Sequence, residues 1–231
     1  MRPTMIGGLV KVSLVDWPGR VAAVVFTRGC NFRCPWCHNR SLVEPALFPP
    51  ALPEEEVLSH LARRRGLLTG VVVSGGEPTL HTDLVPFLRK VKEMGYAVKL
   101  DTNGSRPEFL GQLLTEGLVD RVAVDYKVPL DEYPARLGWA APQEVRRTIA
   151  LVVERGCGEV RTTVVPGIHS VEVLRRMVRE VTIPPGAYRL QPFRPGSCLD
   201  PAYNRYPAVT GEEVAVLAAV LPGHATAGTD I

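Results

Sequence analysis

With 231 residues, 45% hydrophobic and 22% charged, the chain has the composition of an ordinary folded protein, which excludes the disordered and fibrous classes. A net charge of +3 from 27 basic and 24 acidic residues is too balanced to suggest a nucleic-acid partner, and the one dense basic run, Arg63-Arg64-Arg65, suits the end of a helix. The N-terminus lacks the apolar stretch of a secretory signal and no apolar run reaches membrane-spanning length, so no membrane association and a cytoplasmic location are expected. In that compartment five cysteines serve more often as metal ligands or buried thiols than as disulfides.

Val21 to Thr27 is an apolar, β-branched run that ends at Arg28-Gly29, the pattern of a strand entering a tight loop. A proline-rich stretch then leads to Glu54-Glu55-Glu56, acidic residues that favour a helix start, with the helix continuing to Arg65. Further strands are expected at Gly70 to Val73, Ala97 to Leu100, Val119 to Val124, Glu159 to Val165 and Tyr188 to Leu190. Amphipathic helices are expected at Leu80 to Met94, Pro107 to Glu116, Pro142 to Arg155 and Val171 to Glu180. Strands alternating with helices imply parallel pairing, and six βα steps fall short of a closed eight-stranded barrel. The expected architecture is therefore α/β, a single domain built as an open (β/α)6 partial TIM barrel. It has an N-terminal segment (1–20), a core (21–192) and a tail (193–231) with one helix at Glu212 to Leu221. A doubly wound open sheet is the alternative.

Cys30, Cys34 and Cys37 are spaced C-x3-C-x2-C in the loop directly after the first predicted strand. Thiolates select iron-sulfur clusters, zinc or Cu(I), and a structural zinc site usually takes four protein ligands. Three cysteines on a four-iron cluster leave one iron open to a substrate. A zinc-binding interaction module, its site completed by His38 or Cys198, is the alternative of another class.

This triplet is the hallmark of the radical S-adenosylmethionine (SAM) superfamily. Together with Gly7-Gly8-Leu9-Val10-Lys11, Asp16-Trp17-Pro18-Gly19, Phe26-Thr27-Arg28-Gly29-Cys30-Asn31 and Cys37-His38-Asn39, it resembles the glycyl-radical-enzyme activating proteins. Among these the chain is most similar to the anaerobic ribonucleoside-triphosphate reductase activating type, with pyruvate formate-lyase activating enzyme as a relative. The resemblance implies a 4Fe-4S cluster on Cys30, Cys34 and Cys37, reduced by flavodoxin or ferredoxin. It implies cleavage of SAM to a 5′-deoxyadenosyl radical, and hydrogen abstraction from a glycine of a partner enzyme. A radical SAM enzyme acting on a small molecule or another peptide is the alternative within that chemistry.

Ser74-Gly75-Gly76-Glu77-Pro78 follows the second expected strand. Read alone it is a turn, while the resemblance makes Gly75, Gly76 and Glu77 the holders of the SAM amino group. Asp101-Thr102-Asn103-Gly104 and Asp125-Tyr126-Lys127 follow the third and fourth strands. The resemblance gives Asp101, Asn103, Asp125 and Lys127 a part in binding SAM, and Asp101, Thr102 and Asp125 a monovalent cation. Trp36 would cover the cluster or lie against the adenine. His38 and Asn39 would bond to the cluster region or cap the next segment.

Val164-Val165-Pro166-Gly167 matches the relatives' VVPG, although a turn explains it alone. Pyruvate formate-lyase activating enzyme carries a SAM-contacting histidine in the loop after the sixth strand, where this chain has Gln191 to Arg194 instead. Gln191 or Arg194 replaces that contact, or the loop is filler. His60, His81, His169 and His224 have no spacing partner and are expected to be surface or structural.

Overall fold

The computed structural model describes residues 5–221 and 225–227, so His224 lies outside the described residues. Six strands carry the βα repeat: β2 (Ala22–Thr27), β3 (Gly70–Gly75), β4 (Ala97–Thr102), β5 (Arg121–Asp125), β6 (Gly158–Val164) and β7 (Tyr188–Pro192). Among the described residues, β1 (Ile6–Ser13) pairs antiparallel with β2, and β8 (Ala225–Ala227) pairs parallel with β7. Spatial order is therefore chain order, and the sheet stays open. Every parallel crossover steps the same way, and right-handed crossovers of that kind send their helices to one face. A doubly wound sheet reverses direction partway. The open partial barrel is the observed fold.

Helices α1 (Arg40–Val43) and α2 (Glu54–Arg63) precede β3, α3 (Leu84–Glu93) precedes β4, and α4 (Pro107–Thr115) precedes β5. Then α5 (Tyr133–Leu137) and α6 (Pro142–Glu154) lead to β6, α7 (Val171–Glu180) to β7, and α8 (Gly211–Ala219) to β8. α8 starts on a reciprocal capping box between Thr210 and Glu213, which satisfies two donors of the first turn.

Strand alternation splits the sheet into two unlike faces. Outward residues such as Val71, Val73, Val98, Leu100, Val122 and Val124 join the helices in the main core. The inner face runs across the register Val24, Val72, Lys99, Arg121 and, one step on, Asp101 and Ala123, then Asp125, Arg161 and Arg189. Its β2–β4 side is apolar and closed from below by Trp17, which packs on Ala22, Val24 and Val72 in a small separate core. Its β4–β7 side carries charges. Trp17 lies so close to Gly70 that a Cβ there would come within 3.0 Å of the indole. The Asp16-Trp17-Pro18-Gly19 motif is thus a plug for the lower end of the inner face.

The six expected strands and the helices α2, α3, α4, α6, α7 and α8 are present. The short helices α1 and α5 and the strands β1 and β8 lie where no element was expected. β1 has a glycine doublet and a mostly exposed second half, so its pattern carries no strand signal.

Trp17→Ala should lower the free energy of unfolding by about 3–5 kcal/mol, as expected for emptying a packed aromatic site, and urea denaturation would measure it.

Candidate active site

The loops after β2, β3, β4 and β5 converge over the C-terminal ends of their strands and line one cavity of about 860 Å³, part of it open to solvent. Cys30, Cys34, Cys37 and Trp36 come from the first loop and Gly75 and Gly76 from the second. Asp101, Thr102 and Asn103 come from the third, and Asp125 and Lys127 from the fourth. Every residue expected to bind cluster or SAM borders this cavity except Glu77.

Glu77 is fully buried and turned away. Its carboxylate accepts hydrogen bonds from the Thr79 amide (3.0 Å) and hydroxyl (2.5 Å), the Thr102 hydroxyl (2.8 Å) and the Asn103 amide (2.6 Å). Burial pushes its pKa up and these donors pull back against it. The Glu77 side chain thus buckles the β3 loop to the end of β4, and within the expected Gly75-Gly76-Glu77 set it is the two glycines that border the cavity. The two glycines are also explained sterically. A Cβ on Gly76 would lie 2.0 Å from the Gly29 carbonyl oxygen, and one on Gly75, at φ +111°, would lie 2.4 Å from the Thr27 nitrogen. The close approach they permit is to the neighbouring loop, where the Gly76 and Glu77 amides donate to Thr27 and Gly29 carbonyls at 2.9 and 2.8 Å.

Three asparagines, of which only Asn31 was missed as a site residue, hold the cysteine loop in place. Asn103 Nδ2 donates to Asn31 Oδ1 at 2.8 Å, Asn31 Nδ2 to Ser105 Oγ at 2.8 Å, and Asn39 Nδ2 to the Gly75 carbonyl at 2.9 Å. Asn39 makes no side-chain cap to α1, so the bonding alternative is the observed one. Phe32 is buried between Tyr133 and Trp139. From the far side, the segment after β7 clamps the same loop: the Leu199 and Asp200 amides donate to the Cys37 and Pro35 carbonyls, both at 2.9 Å, and Tyr203 packs on Trp36. For Asn31 only its position next to Cys30 offered a signal in the sequence.

Burial pushes the Cys30 thiol up to about 11 and the Cys34 thiol up to about 12, and raises Cys37; the Lys127 ammonium works against this at all three. Burial alone would depress Lys127, but Asp125 and the thiols of Cys34 and Cys37 outweigh it and its pKa is raised. Three soft donors facing one cavity beside a cation fit an anionic thiolate-bound centre, whose metal would draw off the protons. Among the described residues no three His, Cys, Asp or Glu side chains gather as they would around a single metal ion.

On the inner face, Asp101 pairs with Lys99 (2.8 Å) and Arg161 (3.3 Å), and Asp125 pairs with Arg161 (3.0 Å) and Lys127 (3.2 Å). The monovalent-cation set is not assembled as expected. The two carboxylates share the Arg161 guanidinium, and the Thr102 hydroxyl lies on the opposite face of β4, bonded to Glu77. Gln191 falls within β7 and lines the inner face, and after β7 Phe193 is buried against His38 while Arg194 is exposed. Neither Gln191 nor Arg194 borders the cysteine cavity.

The remaining described histidines are latches. His60 Nε2 is 3.1 Å from the Lys11 carbonyl, His81 Nε2 2.7 Å from the Arg28 carbonyl, and His169 Nε2 2.8 Å from the Lys127 carbonyl. Burial holds His169 down at about 4. Among the described residues no helix is long and apolar enough to cross a membrane.

A family model described as the Radical SAM superfamily matches residues 24–178. A protein of Methanocaldococcus jannaschii named as a glycyl-radical enzyme activating enzyme is 30% identical over 88% of this chain and 85% of its own length. The pyruvate formate-lyase-activating enzyme of Clostridium pasteurianum is 36% identical over 43% of each chain. Of solved structures, archaeal TYW1 superposes with a TM-score of 0.58 at 16% identity, covering 88% of this chain and 72% of that one. A domain of the pyruvate-formate lyase-activating enzyme from Bacteroides vulgatus gives 0.51 at 17%, covering 69% and 98%.

Gly76→Ala should force the β2 and β3 loops apart, costing about 1–3 kcal/mol and lowering the iron bound after reconstitution, whereas Gly196→Ala, at an open position, should change neither. The neutral His169 gives a second expectation. The unfolded chain takes up its proton near 6.5 and the folded chain near 4, so stability is full above pH 6.5 and falls as pH drops through that window. The loss approaches roughly 3 kcal/mol. Urea midpoints at pH 7 and pH 4.5 should show it, and His169→Gln should flatten that limb.

Proposed function

The chain belongs to the radical SAM superfamily, and on that premise we propose that it generates a glycyl radical on a partner enzyme, anaerobic ribonucleoside-triphosphate reductase. Enzymes of this family use a 4Fe-4S cluster and SAM. Cys30, Cys34 and Cys37 would hold the cluster, and Gly75, Gly76, Asp101, Asp125 and Lys127 border the space beside it where SAM would bind. When bound, the two would supply reductive cleavage of SAM to methionine and a 5′-deoxyadenosyl radical able to take a hydrogen atom from the partner's glycine, with flavodoxin or ferredoxin as the electron source.

The observation that carries this reading is the gathering of all three cysteines, Gly75, Gly76, Asp101, Asp125 and Lys127 around one cavity. Lys99, Arg161 and Lys127 outnumber Asp101 and Asp125 in the ion-pair chain by one positive charge, which favours an anionic group such as a carboxylate at its open end. Lys127 brings that charge beside Cys34 and Cys37. Trp36 and Phe32, both buried, keep water from the base of the cysteine loop. The backbone bonds between the β2 and β3 loops fix the cavity wall before any ligand arrives. None of these residues needs to act as an acid or base; their work is holding and excluding.

The reductase as partner is supported by the motifs from Gly7 to Asn39, and Gln191 to Arg194, where pyruvate formate-lyase activating enzyme carries its SAM-contacting histidine, count against pyruvate formate-lyase. A cytoplasmic location is supported by five cysteines without a disulfide among the described residues.

The reconstituted, reduced protein with SAM and the reductase should give a glycyl-radical signal by electron paramagnetic resonance. Deuterium placed on the target glycine should appear in 5′-deoxyadenosine. Deoxyadenosine formed without either signal would contradict glycyl activation and favour a small-molecule substrate.

A further inference from the structure

His169 lies outside every motif of the sequence, in the turn after β6, yet it is buried at 5% exposure. Its Nδ1 accepts from the Val165 amide at 2.9 Å and its Nε2 faces the Lys127 carbonyl at 2.8 Å. An amide can only donate and a carbonyl only accept, so the ring is the neutral tautomer with the proton on Nε2. The ring also meets Trp36 edge-on, with centroids 6.2 Å apart. One imidazole therefore touches three loops: its own Val165–His169 turn, the β5 loop at Lys127 and the cysteine loop at Trp36.

Lys127 is held at both main-chain groups by buried side chains. Its amide donates to the Tyr133 hydroxyl at 3.1 Å, and its carbonyl accepts from His169. With the main chain fixed at both ends, the ammonium is left to choose only its rotamer, and there it pairs with Asp125 at 3.2 Å. Without the His169 bond, the Lys127 carbonyl would be a buried acceptor lacking its partner, a cost met by shifting the loop. The ammonium and the indole next to the cysteines would move with it.

We propose that His169 is a positioning residue for SAM: through the Lys127 carbonyl and the Trp36 ring it sets the cationic and aromatic walls of the cysteine cavity. The inference rests on the reading of that cavity as the SAM site. The two ring nitrogens separate the roles. Glutamine at 169 can place its amide N–H near the position of Nε2, keeping the bond to Lys127 while losing the one to Val165. Leucine loses both. A purely structural role would make the two variants alike in everything but stability.

The test compares cluster-loaded wild type, His169→Gln and His169→Leu in two measurements. SAM affinity is followed by the change in the reduced cluster's paramagnetic resonance spectrum, and hydrogen exchange is followed at residues 125–130. His169→Leu should bind SAM about tenfold more weakly, with faster exchange at 125–130. His169→Gln should stay close to wild type in both, even where its melting temperature falls. Wild-type affinity and unchanged exchange in His169→Leu would overturn the proposal, as would equal losses in the two variants. If the loaded wild type itself binds no SAM, the reading of the cavity fails. The exchange comparison then still decides whether His169 fixes the Lys127 loop.

Discussion

The cavity depends on a buried carboxylate that pairs with no cation among the described residues. Glu77 is balanced by four hydrogen-bond donors, two from Thr79 in its own turn and two from the end of β4, Thr102 and Asn103. Bonds to a charged acceptor are the strong ones, and breaking them would strand both the carboxylate and two backbone amides. The ends of β3 and β4 are therefore locked at a fixed spacing. Asn103 then reaches Asn31, and Asn39 reaches Gly75, so the cysteine loop is suspended from the same buckle. The steric demand at Gly75 and Gly76 is part of this arrangement, since only glycine lets the β3 loop press against Thr27 and Gly29.

A second set of contacts links the bottom of the inner face to its mouth. Lys99 donates to the Asp16 carbonyl beside the Trp17 plug and pairs with Asp101. Asp101 shares Arg161 with Asp125, and Asp125 pairs with Lys127 beside the cysteines. An apolar half of the inner face gives rigidity from below, while the charged half carries an excess of positive charge upward. This division follows from alternation along the strands: Val72 on β3 is paired with Lys99 on β4, and the polar residues continue from there.

The repeat of strands and helices was legible because each central strand is an unbroken apolar run and each main helix has an amphipathic period. The cysteine spacing and the residues after each strand located the cavity. What the sequence did not disclose was which way a side chain turns. Glu77 follows two glycines and reads as a ligand, but its orientation is decided by donors on another loop, 25 and 26 residues on. Thr102 sits next to Asp101 and reads as its companion, although strand alternation alone sends it to the opposite face. His169 and the clamp at Leu199 and Asp200 belong to irregular segments with no periodic pattern, where a long-range contact leaves no local trace.

The most direct test of the account is to load the protein with iron and sulfide under strict anaerobiosis, reduce it, add SAM and assay 5′-deoxyadenosine alongside Cys34→Ala. The account predicts product from the wild type and none from the variant. No product from a correctly loaded and reducible cluster, or equal product from both proteins, would contradict it.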